Sequence, residues 1–101
     1  MTHPDDLLVI SSDGSRLTVS GEIDAHTAPS LAAAIDAAGD SVTIDLAGVE
    51  FVDSSGLRVL IDAHQRLAER GGGLTIASPS DAVTRLFEIS GVDEYLSIEA
   101  G

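Results

Sequence analysis

The sequence predicts an α/β fold: a mixed, mostly parallel sheet of four to five strands, opened by a β-hairpin, with about four helices packed mainly on one face. Asp13-Gly14 lies between two short apolar-rich runs, which is a strong local hairpin signal. Beyond it, apolar runs of strand length alternate with segments of helical period, as in βα units with parallel strands. The 101 residues suit a single domain over residues 1–101, with too few helices to cover both sheet faces.

The hairpin strands are predicted at residues 7–11 and 16–21, running antiparallel. In the second of these runs apolar and polar residues alternate, which predicts one buried face and one polar face. Residues 21–26 are then expected to form a loop that leads into the first helix.

The first helix is predicted to begin after Thr27, whose hydroxyl is expected to cap the first turn. Pro29 suits the start of a helix because its φ is fixed and its missing N–H would have no helical partner there. Gly39 ends the pattern. The expected apolar face, at i, i+3, i+4, i+7 spacing, consists of Leu31, Ala34, Ile35 and Ala38.

A third strand is predicted at residues 42–46, a short apolar run suited to the interior of a sheet. A loop at Ala47-Gly48 and the run 50–53 are expected to lead into the second helix, which the glycines at 71–73 end. The predicted apolar stripe of this helix consists of Leu57, Leu60, Ile61, His64, Leu67 and Ala68.

A fourth strand is predicted at residues 74–77. Ser78, Pro79 and Asp81 then give a third helix a capping serine, a first-turn proline and an acid three residues after the serine. A last short strand is predicted at residues 95–98. The expected inner face of the third helix consists of Val83, Leu86, Phe87 and Ser90.

The chain carries a net charge of −12, from 17 acidic residues against five basic ones, all of them arginine. Such a surface is repelled by nucleic-acid phosphates and by anionic lipid headgroups. We therefore expect neither a nucleic acid nor a membrane as partner. A protein partner with a basic surface would be attracted to this negative chain.

Enzymatic motifs are missing from the sequence. Without cysteine there is no thiolate nucleophile and no cysteine-based metal site. His3, His26 and His64 are too far apart for a metal-ligand pair at i, i+4 spacing. No phosphate-binding glycine loop is present, and Ser54 lacks the Gly-x-Ser-x-Gly turn of a serine hydrolase. We expect no catalytic residues, no metal and no cofactor.

The first residues contain no basic region followed by an apolar segment, as a secretion signal would. No apolar run approaches the roughly 20 residues that a membrane helix needs. A cytoplasmic location is therefore expected.

The five residues Asp53-Ser54-Ser55-Gly56-Leu57 fall where a predicted strand gives way to the second helix. Amides in the first turn of a helix have no partner inside the helix. A serine there can cap the helix, or it can carry a phosphate that the amides and the helix dipole accept. Two serines exceed the need for one cap, and Gly56 leaves the first turn open to a close partner. Spacing alone leaves both interpretations open.

Three sequence blocks, in this order, resemble the anti-sigma-factor antagonists of the STAS domain family. They are GEID at 21–24 with Thr27-Ala28, DSSGL at 53–57, and Pro79-Ser80 with RLFEISG at 85–91. The resemblance covers nearly the whole chain and implies the STAS fold. Arg58 stands where glycine is common in the family.

The resemblance implies a partner switch. In such proteins the serine after the aspartate, here Ser54, is phosphorylated by an anti-sigma factor that is itself a serine kinase, and a serine phosphatase removes the phosphate. The unmodified form binds the anti-sigma factor and frees the sigma factor. The expected partner-binding residues are Glu22, Asp24, His26, Thr27, Asp53, Ser54, Ser55, Gly56, Leu57 and Arg58.

The same family suggests an alternative. The chain could be a scaffold or adaptor subunit of a stress-signalling assembly or of a lipid-transport ATPase, with no phosphorylation. On either interpretation we expect a non-enzymatic protein, monomeric or weakly dimeric.

Overall fold

The computed structural model of the chain describes residues 8–94 and 96–99. The strands are β1 (Leu8–Asp13), β2 (Arg16–Ile23), β3 (Ser41–Val52), β4 (Gly73–Ala77) and β5 (Ser97–Glu99). The helices are α1 (Ala28–Ala37), α2 (Ser54–Glu69), α3 (Asp81–Ser90) and a short 3-10 helix, Val92–Glu94.

The five strands form one sheet in the order β1-β2-β3-β4-β5. The β1–β2 hairpin is antiparallel, and the other three neighbouring pairs are parallel. This confirms the predicted α/β class, the opening hairpin and the mostly parallel sheet. About four helices were expected, and residues 8–94 and 96–99 contain three α-helices and one 3-10 helix.

One hydrophobic core lies on one face of the sheet. Alternate residues of β2, β3 and β4 point into it, as the period of two in a strand requires. Every α-helix contributes buried side chains to the same core, so the helices lie on the same face, as predicted. The fully buried helix residues are Leu31, Ile35, Leu60, Ala63, Leu67, Val83 and Phe87.

The opposite face of the sheet is polar. Arg16 and Asp45 form an ion pair of 3.0 Å across β2 and β3 on this side, and Thr18 is exposed there. The prediction that β2 has one buried face and one polar face is therefore confirmed.

Strand β3 is longer than predicted. It does not end at Leu46 but continues through Ala47-Gly48, where a loop was expected, as far as Val52. Its pairing with β2 shifts register twice, and each shift inserts one extra residue in β3. These two bulges make Leu46, Val49 and Val52 point inward at spacings of three residues instead of two.

Gly48 explains how the first bulge is tolerated. A Cβ atom at this position would lie 2.7 Å from Cβ of Ser20 on the neighbouring strand. Only glycine allows β2 and β3 to approach this closely there. The glycine that suggested a loop is therefore part of a sheet, because tertiary pairing overrides the local turn signal.

Other boundaries also differ from the predictions. β2 continues to Ile23, so the expected loop at 21–26 is shorter. The last strand is Ser97–Glu99 instead of residues 95–98. Leu7 and Tyr95, which were expected in the first and last strands, lie outside the described residues. Ala68 and Ser90, expected on the inner faces of α2 and α3, are exposed. The N-cap of α3 is Ser80 and not Ser78.

The start of helix α2 packs directly on two strands. A Cβ atom at Gly56 would lie 2.6 Å from Cγ2 of Ile23 and 2.8 Å from Cγ1 of Val52. Both neighbours are β-branched core residues with restricted side-chain rotamers. The close approach at Gly56 is therefore made by the protein's own core.

We predict that Gly56→Ala lowers the free energy of unfolding by about 1 kcal/mol. Overpacking costs about 1–3 kcal/mol, and replacing glycine in a helix returns about 1 kcal/mol. Urea unfolding measures the difference. Gly73→Ala is the matched control, because a Cβ there meets no atom within 4 Å. Equal stability of the two variants would contradict the packing described for Gly56.

Candidate functional site

The site lies at the edge of the sheet where the parallel strands β2 and β3 end. Ile23 and Val52 are paired residues at the ends of these strands. The amide of Asp53 donates to the carbonyl oxygen of Ile23 at 3.0 Å, which extends the pairing by one more bond. As a result Asp24 and Asp53, the first residues after the two strands, lie next to each other at the edge of the sheet. Each begins a connection to a helix.

Asp53 is the cap of helix α2. Its Oδ1 accepts from the amides of Ser55 at 2.8 Å and Gly56 at 3.1 Å. Its carbonyl oxygen accepts from the amide of Leu57 at 3.0 Å. Asp53 therefore satisfies first-turn amides that a serine could otherwise have capped, and its negative charge lies at the positive end of the helix dipole.

Asp24 makes the same pattern of bonds on the neighbouring connection. Its Oδ1 accepts from the amides of His26 at 2.9 Å and Thr27 at 3.0 Å, two and three residues ahead, as Asp53 does. Its carbonyl oxygen accepts from the amide of Ala28 at 2.7 Å. Two successive strand-to-helix connections are thus held by an aspartate directly after the strand.

Thr27 is the N-cap residue of α1, but its hydroxyl does not cap the helix, contrary to the prediction. The hydroxyl accepts from the amide of Asp24 at 2.9 Å and donates to the carbonyl oxygen of Glu22 at 2.9 Å. Thr27 is only 3% exposed. It braces the loop from inside, which makes it a poor candidate for direct contact with a partner.

These bonds change the acidity of Asp24. The bond from the Thr27 amide, with a smaller contribution from His26, stabilises the carboxylate and lowers its pKa below the ordinary value of 3.8. Partial burial acts in the opposite direction. Asp24 is therefore a fixed negative charge beside the start of α2.

Ser54 is the first residue of α2, and it is exposed. Since Asp53 provides the cap, the Ser54 hydroxyl is not part of that hydrogen-bonded structure. Ser55 and Leu57 are half-buried, whereas Arg58 is exposed and lies 3.8 Å from Asp62.

The structure brings most of the predicted residues to one edge, but not all of them to the surface. Glu22 and Asp24 are half-buried and His26 is exposed, so the loop before α1 presents side chains beside the start of α2. Gly56 and Thr27 are buried and act from within.

Two depressions flank this edge. One, of about 480 Å³, is lined by Leu8, Ile10, His26, Thr27 and Ser30. The other, of about 220 Å³, lies between the end of β3 and helix α3; we call it the Phe51 groove, and its lining residues are Glu50, Phe51, Val52, Ala82, Arg85, Leu86 and Ile89.

Sequence reasoning missed the Phe51 groove, although signals for it were present. Phe51 falls in a run expected to be irregular, where an aromatic residue has no obvious core position. Ile89 lies off the apolar stripe of α3 and is 77% exposed. An apolar residue out of phase with the buried face of a helix indicates an exposed apolar patch.

In residues 8–94 and 96–99 no group of three or more histidine, aspartate or glutamate side chains is arranged to hold a metal ion. Within the same residues no helix is both long and apolar enough to span a membrane. The chemistry available at the sheet edge is that of an exposed hydroxyl, carboxylates and backbone amides.

A family model described as "Mlab, STAS domain" matches residues 8–98. The chain belongs to the STAS domain family. The anti-sigma-B factor antagonist of Listeria monocytogenes serovar 1/2a is 37% identical to this STAS domain over 92 residues, covering 87% of this chain and 81% of the relative.

Solved structures agree with the family assignment. An anti-sigma factor antagonist from Mycobacterium paratuberculosis superposes on this STAS domain with a TM-score of 0.78 at 29% identity, covering 100% of this chain and 92% of the other. The phosphorylated form of the Bacillus cell fate determinant SpoIIAA has a TM-score of 0.65 at 18% identity, covering 92% and 91%, and shows the shared fold.

For this STAS domain we predict that Asp53→Ala lowers the free energy of unfolding by about 1 kcal/mol, the usual cost of a lost helix cap. Ser54→Ala is the matched control and should stay within about 0.5 kcal/mol of the wild type, since an exposed residue outside the cap contributes little. Urea unfolding of both variants decides the assignment. A larger loss for Ser54→Ala would show that Ser54 is the structural residue.

The lowered pKa of Asp24 predicts a pH effect on stability. The stabilisation is fully present above the unfolded-state pKa and is lost as pH falls through the lower folded-state pKa. Asp24→Asn removes this titration. Unfolding followed from pH 7 down into the acid range should therefore show a smaller loss of stability for the variant than for the wild type. Parallel pH profiles would contradict the assignment.

Proposed function

We propose that this STAS domain is an anti-sigma factor antagonist whose unphosphorylated form binds an anti-sigma factor with serine kinase activity. Phosphorylation of Ser54 would end that binding, and a serine phosphatase would restore it. The observation that carries the proposal is that Ser54 is exposed at the first position of α2 while Asp53 alone caps the helix. The 37% identity to an anti-sigma-B factor antagonist supports the same role.

The division of labour between Asp53 and Ser54 suits a switch. A residue that caps a helix cannot be modified without weakening the fold, because its oxygen is already bonded to backbone amides. Ser54 does not cap the helix, so a kinase could phosphorylate its hydroxyl without breaking the cap. The fold would then persist in both states, and only the surface would change.

A phosphate at Ser54 would change both the charge and the bulk of the site. It would add about −1.5 to −2 charges at pH 7, next in sequence to Asp53 and at the same sheet edge as Asp24. The Ser55 and Gly56 amides are already bonded to Asp53. A phosphate would therefore gain less from the helix start than the sequence alone suggests, and it would leave the surface more negative.

The required energy is modest. A 100-fold loss of affinity corresponds to about 2.7 kcal/mol. Burying a phosphate in a packed contact that has no hydrogen-bond partners for it costs several kcal/mol in lost hydration. A local change of charge and bulk at Ser54 is thus sufficient, with no rearrangement of the sheet or helices.

The proposed contact surface comprises the exposed and half-buried groups at this edge: Glu22, Asp24, His26, Asp53, Ser54, Ser55, Leu57 and Arg58. Most of its charge is negative, which would attract a basic face on the anti-sigma factor and raise the rate of association at low salt. Gly56 and Thr27 would support this surface from beneath.

A second candidate function is that of an adaptor subunit, in a stress-signalling assembly or a lipid-transport ATPase, that is never phosphorylated. The occupation of the first-turn amides by Asp53 favours it, because those amides are not available to a phosphate. The matching family model, which is described by the name Mlab, also leaves it open.

We predict that Ser54→Ala retains affinity for the anti-sigma factor, whereas Ser54→Asp binds at least 10-fold more weakly and folds normally. The carboxylate adds a charge at the proposed contact without touching the cap. Titration calorimetry with candidate anti-sigma factors of the source organism measures the affinities, and urea unfolding checks the fold. Incubation with ATP and magnesium, followed by mass spectrometry, locates the phosphate.

Ser55→Ala and Ser55→Asp form the matched control pair, one residue along the same helix turn. Phosphate on Ser55 or Asp53 would overturn the assignment to Ser54. Binding without phosphate on any residue would favour the adaptor function.

A further inference from the structure

The Phe51 groove combines apolar walls with unusual exposure. Phe51 is 50% exposed and Ile89 is 77% exposed. In the described part of the chain only three large hydrophobic side chains are exposed to this degree, and these are two of them. Leu86 is half-buried between them and the core. Apolar side chains gathered on a surface in this way mark a contact site more often than scattered single residues do.

The size of the groove indicates what it could receive. Small-molecule and cofactor sites usually measure about 300–1,000 Å³, and this groove measures about 220 Å³ and is open to one side. A protein side chain is the more suitable occupant, because it brings its own backbone to cover the rim. Apolar or aromatic anchors of this kind dominate the energy of many protein interfaces.

The groove has one acidic and one basic residue in its lining. Glu50 is exposed, and Arg85 can contribute the aliphatic part of its side chain to an apolar wall. The chain as a whole carries a net charge of −12. A complementary occupant would therefore place a basic side chain near Glu50, beside its apolar anchor.

The net charge disfavours a second copy of this chain as the occupant. Each copy carries a net charge of −12, so pairing two copies would bring like net charges together, which opposes association. The charge therefore favours a different protein with a basic surface.

The groove is continuous with the start of α2. Val52 lines the groove, and its Cγ1 atom faces Gly56 in the first turn of α2. Phe51 is paired with Glu22, a residue of the proposed contact surface. A stable interface buries about 800 Å² on each partner, which is more than one helix turn provides, so a partner seated on Ser54 would extend on to neighbouring surface.

We propose that the Phe51 groove is a second contact for the anti-sigma factor that binds at Ser54, and that it receives an apolar side chain with a basic residue beside it. This inference rests on the proposed function. The groove would supply apolar binding energy that phosphorylation does not alter, while Ser54 supplies the part that the phosphate removes.

The test is the affinity of Ile89→Glu for the anti-sigma factor that binds the wild type, measured by titration calorimetry. Ile89 is mostly exposed, so the substitution should leave the fold intact, as urea unfolding would verify. We expect affinity to fall at least 10-fold. Val9→Glu is the matched control: it adds the same charge at another exposed apolar residue, on the polar face of the sheet, and should bind like the wild type.

Charge reversal at Glu50 tests the basic neighbour of the anchor. Glu50→Lys, in the lining of the groove, should weaken binding at least threefold at low salt, and the difference should shrink at 0.5 M salt. Glu69→Lys, at the last residue of α2, makes the same change far along that helix from Ser54 and should have little effect. Equal effects of the two reversals would refute Glu50 as a recognition element.

The outcomes separate this inference from the proposed function. If the wild type binds and Ser54→Asp weakens binding, yet Ile89→Glu binds like Val9→Glu, the groove is not a contact and the proposed function stands. If Ile89→Glu instead dissociates a dimer in sedimentation without changing that affinity, the groove belongs to a second copy. If no anti-sigma factor binds the wild type, both proposals fail.

Discussion

The parallel pairing of Ile23 with Val52 is the contact on which the rest of the site depends. The pairing depends on two bulges in β3. Each bulge accommodates one extra residue of β3, after which the pairing with β2 continues in a shifted register. The pairing places Asp24 and Asp53 next to each other at the end of the sheet. It also provides the two core side chains against which Gly56, and therefore the start of α2, is seated.

From this pairing follows a separation of structural and functional groups. Asp24 and Asp53 each bind the amides two and three residues ahead, so the start of each connection is held by the same arrangement. Ser54, the residue after Asp53, is exposed and does not cap the helix. Groups that hold the edge together face inward or toward the backbone, and groups that could meet a partner face outward. The proposed switch would therefore change affinity without changing stability.

The sequence predicts the architecture well where local patterns and tertiary structure agree. Alternation in β2, the Asp13-Gly14 turn and most of the helix positions predicted to face the core have the expected outcome. The prediction fails at Gly48, because a local turn signal cannot reveal that a neighbouring strand needs a residue without a side chain. It also fails at Thr27, whose hydroxyl bonds backward to Glu22 instead of forward into the helix.

The candidate site was only partly predictable for the same reason. The block at 53–57 was identified from sequence, but spacing could not assign the cap to Asp53 or show that Gly56 faces the core. Nor could it bring Phe51 and Ile89 together, since they come from a bulged strand and from the outer side of α3. Contacts between distant segments place Gly56 against the core and form the groove, whereas the cap depends on local hydrogen-bond geometry. Periodicity contains no information about either.

The most direct test of the proposed switch is the affinity of the proposed anti-sigma factor partner for a chain that carries phosphoserine at position 54, compared with one that carries it at position 55. Urea unfolding of both proteins should accompany it. If Asp53 holds the helix and Ser54 only presents a surface, phosphoserine at 54 should lower affinity about 100-fold or more while the free energy of unfolding changes by less than about 1 kcal/mol. Unchanged affinity with phosphoserine at 54, or unfolding of the domain, would contradict this division of roles.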